Sequence, residues 1–240
     1  MSTIAQVSHP GVPIIDVAPF LAGTPTGKRA VAAAVGRACE DIGFLTIVGH
    51  EVPQELIERQ YRLAREFFNL PVEEKRRALP QPGSRGGYSP FQNISLARSY
   101  GRHAPADLRE SLTYGGDFDD HRWPERPAGL RETWSEYYRA MDRLCLDLLH
   151  SFALALDLPE TFFDDKVGRG PSTVTVINYP GQEAEPIPGQ LRSGEHTAWG
   201  PLTILRSEDA PGGLQSPIAM ANGWTSRPSR GRSSSTSATC

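Results

Sequence analysis

Short β-branched runs and stretches of helical periodicity alternate along the first part of the chain. Val12-Pro-Ile-Ile-Asp-Val and Phe44–Val48 are rich in β-branched residues, which is typical of strands. Between them, apolar residues recur at helical spacing from about Gly27 to Ile42, and Thr26 is the candidate N-cap of that helix. The pattern therefore predicts a strand, a helix and a second strand.

The next segment predicts two further helices and then a loop. Pro53 opens an amphipathic helix whose apolar residues continue to Phe68. Pro71 starts a short helix, with proline in the first turn and acidic residues near the positive end of the helix dipole. Residues 80–105 are rich in Gly, Pro, Ser and Arg, so they predict a long ordered loop.

One long apolar stripe marks the clearest helix, from about residue 131 to residue 158. After this helix the pattern changes, because residues 172–179 alternate like a strand and residues 201–206 form another short apolar run. Helices thus dominate the first half of the chain and strands follow them, an order that favours the α+β class.

The overall composition adds limits on function. The chain has 240 residues, 38% of them hydrophobic, and a formal net charge of −3. This balance gives no electrostatic footprint for nucleic acid, and no apolar run is long enough to span a bilayer. The three cysteines show no metal-ligand spacing and no disulfide framework, and the N-terminus lacks the features of a secretion signal. We therefore expect a cytoplasmic protein without nucleic-acid or membrane partners, and no oligomeric state is predicted.

The composition breaks after Gln215. Residues 216–240 contain seven Ser, three Arg and no acidic residue, which by itself is typical of a disordered Ser/Arg tail. The genetic code offers a second interpretation, in which one nucleotide was lost near the Gln215 codon. Each original codon would then combine the last base of one tail codon with the first two bases of the next.

Reversing this shift restores an amino-acid sequence that is typical of a β-sheet. Ala221 after Met220 can restore only glycine, and Thr225 after Trp224 can restore only aspartate, because Met and Trp have single codons. At the other positions the shift permits several codons. With suitable choices among them, the restored amino-acid sequence is V-x-D-x-D-G-E-W-V-D-V-P-P-V-P-G-A-F-V-V-N-I-G-D-L. It has an Asp-Gly turn between two predicted strands, together with alternating apolar runs and a Pro-Gly turn, as expected of a sheet. We therefore predict that residues 216–240 are out of frame.

Seven blocks of residues carry a family resemblance through their order and spacing. They are Gly43-Phe-Leu-Thr-Ile-Val-Gly-His-Glu-Val-Pro, Phe67-Phe-Asn-Leu-Pro-Val-Glu-Glu-Lys, Gly87-Tyr, Asp107-Leu-Arg-Glu-Ser, Asn178-Tyr-Pro, Gly194-Glu-His-Thr-Ala-Trp-Gly-Pro-Leu-Thr-Ile-Leu and Gly212-Gly-Leu-Gln. With these blocks the chain resembles the Fe(II)/2-oxoglutarate-dependent oxygenases of the isopenicillin N synthase-like branch. The resemblance implies an N-terminal helical region followed by a double-stranded β-helix (jelly roll) that is truncated here.

The same resemblance implies a division of the chain into three parts. Residues 1–115 form the N-terminal helical and strand region of the family. Residues 116–215 contain the long helix and the first part of the jelly-roll core, and residues 216–240 are the tail that is read out of frame.

His196-Thr197-Ala198 is the candidate metal site. Non-haem Fe(II) oxygenases hold iron with two His and one carboxylate, and family members supply the first two of these ligands as H-x-D. The resemblance thus implies that His196 binds iron, whereas Ala198 stands where the family has its carboxylate. Glu195 is adjacent, but neighbouring residues on a strand point to opposite faces, so we interpret Glu195 as structural.

Ala198 gives this motif its most specific implication. Similar proteins with Ala or Gly at this position are iron/2-oxoglutarate halogenases, because a methyl group cannot ligate and chloride can occupy the emptied position. We therefore predict a halogenase that chlorinates an aliphatic C–H bond by radical chemistry, with Ala198 marking the halide position. The alternatives are a 2-oxoglutarate-dependent hydroxylase or desaturase, and a non-catalytic homologue that keeps only the fold.

The resemblance also implies the cofactors Fe(II), 2-oxoglutarate, O₂ and chloride, and a small-molecule substrate. Asn178-Tyr179 matches the family's N-Y-P block, whose Tyr helps to hold 2-oxoglutarate; a Tyr packed against the sheet is an equal alternative. Residues 216–240 contain no His, so the second iron ligand and the Arg that follows it are expected only in the in-frame parent protein. By analogy with similar halogenases, a nucleoside or nucleotide is the favoured substrate.

Overall fold

A computed structural model provides the fold of the chain. It describes residues 12–84, 86–101, 103–116, 121–167, 172–182, 185–197, 200–206 and 236–239.

Six α-helices and one 3₁₀ helix are present in the described part of the chain. The helices are α1 (Ala18–Leu21), α2 (Pro25–Asp41), α3 (Gln54–Phe68), α4 (Val72–Arg76), α5 (Leu130–Ala155) and α6 (Asp164–Val167), with the 3₁₀ helix at Leu96–Tyr100. None of these helices is both long and apolar enough to cross a membrane. The helices predicted from the sequence near α2, α3, α4 and α5 are all found.

Seven strands in the described residues form two sheets. The strands are β1 (Ile14–Asp16), β2 (Phe44–Val48), β3 (Gly87–Ser89), β4 (Glu110–Gly115), β5 (Thr173–Asn178), β6 (Thr203–Leu205) and β7 (Thr236–Thr239). One sheet has the order β1-β2-β7-β6, in which only the β1–β2 pair is parallel, and the other has the antiparallel order β3-β4-β5. Together, the helices and sheets give the mixed composition that the sequence predicts.

The chain divides into two compact units that are not consecutive in sequence. The first contains Met1–Glu51, Arg143–Gly168 and Ala198–Cys240, and the second contains Val52–Asp142 and Arg169–Thr197. The four-stranded sheet belongs to the first unit and the three-stranded sheet to the second.

The N-cap of α2 differs from the sequence prediction. Thr24, not Thr26, caps this helix, because the Thr24 hydroxyl accepts a hydrogen bond from the Gly27 backbone N at 3.1 Å. Pro25 then occupies the first helical position, where its missing N–H costs nothing. The sequence pattern missed this arrangement because threonine occurs on both sides of Pro25.

The segment predicted as a loop over residues 80–105 contains two short elements, β3 and the 3₁₀ helix. Strand β4 was not predicted at all, although its burial is almost complete. In β4 the buried residues include the polar Glu110 and Ser111, so its sequence lacks the apolar alternation that identifies strands. Its partners, β3 and β5, supply the pairing that defines it.

Aromatic side chains dominate the core of the second unit. Phe67 of α3, Tyr88 of β3, Tyr114 of β4 and Trp134 of α5 are fully buried in one cluster. The Tyr114 ring lies edge-on to Trp134, with ring centroids 5.3 Å apart, and stacks on Trp123 at 3.7 Å. Such contacts contribute beyond burial alone, so this cluster fixes the positions of β3 and β4.

Two features of the first unit bear on the sequence predictions. Strand β7 lies within residues 216–240, and it pairs with both β2 and β6. Cys39 is disulfide-bonded, which the cysteine spacing in the sequence did not predict. The three-part division of the chain proposed from the family resemblance stays a prediction.

Candidate functional site

A buried carboxylate, Asp107, organises the loop that carries His196. The Asp107 side chain is 2% exposed and accepts two backbone hydrogen bonds, from Leu96 N at 3.1 Å and from Gly194 N at 3.2 Å. The Arg109 Nε lies 3.9 Å from the same carboxylate and supplies an opposite charge. Asp107 therefore joins the 3₁₀ helix to the segment that precedes His196.

Gly194 is required where it stands because the backbone of the 3₁₀ helix approaches it closely. A Cβ on this residue would lie 2.9 Å from the backbone N of Ala97 and 3.2 Å from the Ala97 Cβ. Real Cβ atoms do not approach backbone nitrogen that closely, so any larger residue would push the two segments apart. The Leu108 N–H also donates to the Leu191 carbonyl at 2.9 Å, which holds the same two segments side by side.

His196 lies two residues beyond this contact point. Its Nδ1 is 2.9 Å from the Gly194 carbonyl oxygen, which can only accept, so Nδ1 carries the proton and donates. In this tautomer Nε2 holds the lone pair that a metal would use. The side chain is otherwise exposed, so the Nε2 atom is accessible.

A second buried carboxylate, Glu110, binds side chains from three other elements. Its Oε2 lies 2.8 Å from Lys75 Nζ of α4 and accepts a 2.5 Å hydrogen bond from the Tyr88 hydroxyl of β3. Its Oε1 accepts a 2.8 Å hydrogen bond from the Asn178 side-chain amide of β5. We call Lys75, Tyr88, Glu110 and Asn178 the Glu110 network.

Burial and charge explain why the Glu110 network is stable. Lys75 and Glu110 are 6% and 4% exposed, so each buried charge is compensated by the other. Lys75 Nζ also donates to the Phe68 carbonyl at 3.1 Å. Burial raises the pKa of Tyr88, and the hydrogen bond to Glu110 raises it further, so this phenol remains a proton donor at neutral pH.

The strand register accounts for the contact between Glu110 and Asn178. These residues are Cα partners in the antiparallel β4–β5 ladder, so their side chains lie on the same face. Tyr179 follows at the end of β5 and is 39% exposed. Both interpretations of Tyr179, a contact with 2-oxoglutarate and a position packed against the sheet, stay predictions.

No direct hydrogen bond links the predicted site residues to one another in the described part of the chain. No hydrogen bond between described residues joins Asn178 or Tyr179 to His196, and Ala198 lies outside the described residues. The described residues also contain no cluster of three or more His, Cys, Asp or Glu side chains that could hold a metal. His196 fits the donor chemistry of one iron ligand, but the described residues do not complete an iron site.

Sequence analysis assigned no individual role to Lys75, Tyr88, Asp107 or Glu110. The one available signal was the block Asp107-Leu-Arg-Glu-Ser, which places two carboxylates three residues apart beside an arginine. Nothing in that spacing reveals that the partners of Glu110 come from residues 75, 88 and 178.

Comparisons with known proteins agree with the sequence blocks. A family model described as "non-haem dioxygenase in morphine synthesis N-terminal" matches residues 12–136. A 2-oxoglutarate-Fe(II) type oxidoreductase of Emericella nidulans is 33% identical over 231 residues, covering 88% of this chain and 65% of that protein. Homoarginine-6-hydroxylase 2-ODD-C23.2 of Arabidopsis thaliana is 29% identical, covering 85% of this chain and 61% of that protein.

Solved structures show the same relationship at the level of the fold. A full-length Neurospora crassa protein in complex with alpha-KG has a TM-score of 0.79 and 25% identity, covering 95% of this chain and 72% of that chain. The fold is therefore that of the jelly-roll oxygenases behind an N-terminal helical region. The chain spans 61% to 65% of the length of the first curated relatives it matches.

Proposed function

The chain belongs to the Fe(II)/2-oxoglutarate-dependent oxygenases, and from this premise we propose that its in-frame protein oxidises a small organic molecule. By in-frame protein we mean the product read without the predicted shift near Gln215. Fe(II) and 2-oxoglutarate are the cofactors named in the relatives' descriptions, and they would supply the activation of O₂. The proposal concerns this longer product because residues 216–240 contain no second His.

His196 is the observation that carries the proposal. Its Nδ1 donates to the Gly194 carbonyl, which leaves Nε2 as an exposed lone-pair nitrogen. Metal-binding histidines usually have this arrangement, because a hydrogen bond at one ring nitrogen orients the other toward the metal. The Asp107 and Gly194 contacts behind it supply a rigid support.

The substrate class follows from what the relatives act on. Their names include homoarginine, proline and validamycin A, and one Neurospora crassa structure contains thymine, so small polar metabolites recur. We propose a substrate of this kind, and the thymine complex supports testing nucleobases and nucleosides first.

The test measures 2-oxoglutarate turnover by the in-frame protein with Fe(II), O₂ and a panel of such metabolites. We expect succinate formation to depend on Fe(II) and to be abolished in His196→Ala. His103→Ala is the matched control, because His103 is also an exposed histidine of the second unit, and it should retain activity. Equal turnover in His196→Ala and His103→Ala would exclude His196 as a ligand, and no turnover or iron binding at all would favour a non-catalytic homologue.

Halogenation is the second candidate, and Ala198 is the observation that favours it. A family member with a carboxylate at this position has a protein ligand there, whereas the Ala198 methyl group cannot ligate. The emptied position and the missing negative charge would both suit chloride. The named functions of the relatives above are hydroxylation and other oxidations, so they support the first candidate rather than this one.

Mass spectrometry of the product with and without chloride separates the two candidates. A halogenase should give a chlorinated product with chloride and a brominated product with bromide. Ala198→Asp should abolish halogenation, because the new carboxylate occupies the halide position. A hydroxylated product that forms equally well without halide would reject halogenation and leave the hydroxylase.

The coding DNA around Gln215 tests the in-frame premise. Inserting one base near this codon should open a frame that continues past Cys240 and encodes a His followed by an R-x-S motif. The His is the discriminating residue, because Arg227-Pro-Ser and Arg232-Ser-Ser already match R-x-S in the present frame. A stop codon soon after the insertion, or no such His, would contradict the frameshift.

A further inference from the structure

We propose that Asp107 is a positioning residue for His196 and acts through Gly194. The path runs from the Asp107 carboxylate to the Gly194 N–H and from the Gly194 carbonyl to the His196 Nδ1–H. Both hydrogen bonds lie within 3.2 Å between heavy atoms. The role of His196 as a metal ligand rests on the proposed function. The geometry of this hydrogen-bond path does not depend on that role.

The two hydrogen bonds lie on opposite sides of a single Cα atom. The Gly194 N–H precedes this Cα and the Gly194 carbonyl follows it, so the bonds together restrain φ and ψ of one residue. Glycine has the widest choice of φ and ψ, so an unrestrained glycine here would let the following residues move. The close approach of Ala97 leaves no room for a Cβ and so requires glycine here, and the Asp107 contact restrains the backbone freedom that glycine brings with it.

The burial of Asp107 makes this restraint strong. An ionised carboxylate is costly to bury unless it accepts hydrogen bonds, and Asp107 accepts from Leu96 N and Gly194 N. Hydrogen bonds to a charged acceptor are stronger than those between neutral groups. Asp107 therefore holds the 3₁₀ helix and the Gly194 backbone against each other.

The consequence for His196 is a fixed tautomer and ring direction. When the Gly194 carbonyl is held in place, His196 gains a fixed acceptor for its Nδ1–H, and the lone pair stays on Nε2. If Gly194 were free, the imidazole would exchange between its two tautomers as an exposed histidine does. Exposed His103 of the same unit supplies that reference within one molecule.

The test is NMR of the ¹⁵N-labelled 240-residue chain without added metal, at a pH where the neutral imidazole predominates. Long-range ¹H–¹⁵N spectra report the tautomer of each histidine ring. In the wild type, His196 should be mainly the Nδ1–H form and the Gly194 amide should be protected from hydrogen exchange. In Asp107→Ala, the His196 tautomer mixture should approach that of His103, and the Gly194 amide should exchange at least tenfold faster.

Two further variants distinguish positioning from a general loss of structure. Asp107→Asn keeps one acceptor oxygen, so its effect on the tautomer should be intermediate, and Gly194→Ala should shift the tautomer while leaving Asp107 present. Asp142→Ala removes an exposed aspartate of the same unit and should change neither readout.

The outcomes separate this proposal from the proposed function. An unchanged His196 tautomer in Asp107→Asn and Gly194→Ala, or a wild-type His196 that already matches His103, would overturn the positioning role. If Asp107→Ala does not fold, Asp107→Asn and Gly194→Ala still test whether Asp107 positions His196. Because no metal is present, a protein without oxygenase activity can still confirm the positioning role, and an active protein can still refute it.

Discussion

Asp107 and Glu110 are three residues apart and both are buried, yet their carboxylates are bound by different kinds of partner. Asp107 accepts hydrogen bonds from a backbone N–H group of the 3₁₀ helix and from the Gly194 N–H of the segment before His196. Glu110 is bound by the side chains of Lys75, Tyr88 and Asn178, which belong to α4, β3 and β5.

This difference assigns the two carboxylates to different tasks. Removing a partner of Glu110 disturbs contacts among secondary-structure elements, so the cost should appear in the stability of the whole second unit. Removing Asp107 releases the backbone near Leu96 and Gly194, so much of the effect should be local. Global unfolding and residue-specific exchange can therefore separate the two tasks.

The largest effect is expected for Lys75→Met, which leaves the Glu110 charge buried without its cation. Removing one partner of a buried ion pair typically costs about 3–5 kcal/mol. We expect a loss of this size in the free energy of unfolding measured by chemical denaturation. Adding Glu110→Gln to the same variant should recover part of the loss, because the remaining side chain is neutral.

An exposed pair in the same unit supplies the control for Lys75→Met. Arg62 and Glu66 form an ion pair one helical turn apart on α3, with both side chains exposed. Arg62→Met should cost only about 0.3–0.5 kcal/mol and should matter less at high salt. Equal losses for Lys75→Met and Arg62→Met would contradict the structural importance of the Glu110 network.

A smaller global loss is expected for Asp107→Ala. This variant leaves two buried N–H groups without an acceptor, and each unsatisfied group costs about 1–3 kcal/mol unless the loops relax to let water in. Hydrogen exchange should rise mainly at Leu96 and Gly194, whereas Lys75→Met should raise exchange across β3, β4 and β5. Widespread exchange in Asp107→Ala would show that the two carboxylates have the same task.

The smallest effect in the Glu110 network is expected for Tyr88→Phe. The phenol ring remains in the aromatic core against Phe67, and Glu110 keeps Lys75 and Asn178, so only one hydrogen bond is lost. A loss of about 1.5–3 kcal/mol in the free energy of unfolding is expected, because the acceptor is a charged carboxylate. A loss as large as that of Lys75→Met would mean that the hydroxyl, and not the cation, stabilises the buried carboxylate.

The sequence predicted most of the helices because their apolar periodicity is local. The stripe of α5 and the proline starts of α3 and α4 needed no knowledge of distant residues. Strand β4 was not predicted because its buried positions include Glu110. Burial of this carboxylate becomes favourable only when Lys75 lies beside it. That pairing spans 35 positions, and no local pattern encodes it.

The candidate site shows the same limit of prediction from local sequence. His196 could be selected because a family motif surrounds it, and the structure adds how its ring is held. The role of Asp107 could not be read from the sequence, since its partners are backbone N–H groups, which every residue except proline has. Asn178 was assigned to cofactor binding, whereas the described contact of its amide is with Glu110.

The position of β7 between β2 and β6 has a consequence for folding kinetics. The register joins Ile14 with Thr46, but it also joins Ile47 with Thr236, so the second pair closes a far longer stretch of chain. Loop-closure entropy makes that closure about 1.6 kcal/mol more costly than the first. Strand β6 pairs in the sheet only with β7 among the described strands, and the register joins Leu205 with Ser237, so this pair closes a stretch as short as the first and need not wait for the β2–β7 closure. The β1–β2 and β6–β7 pairs should accordingly form early, and the pairing of β7 with β2 should set the folding rate of the first unit.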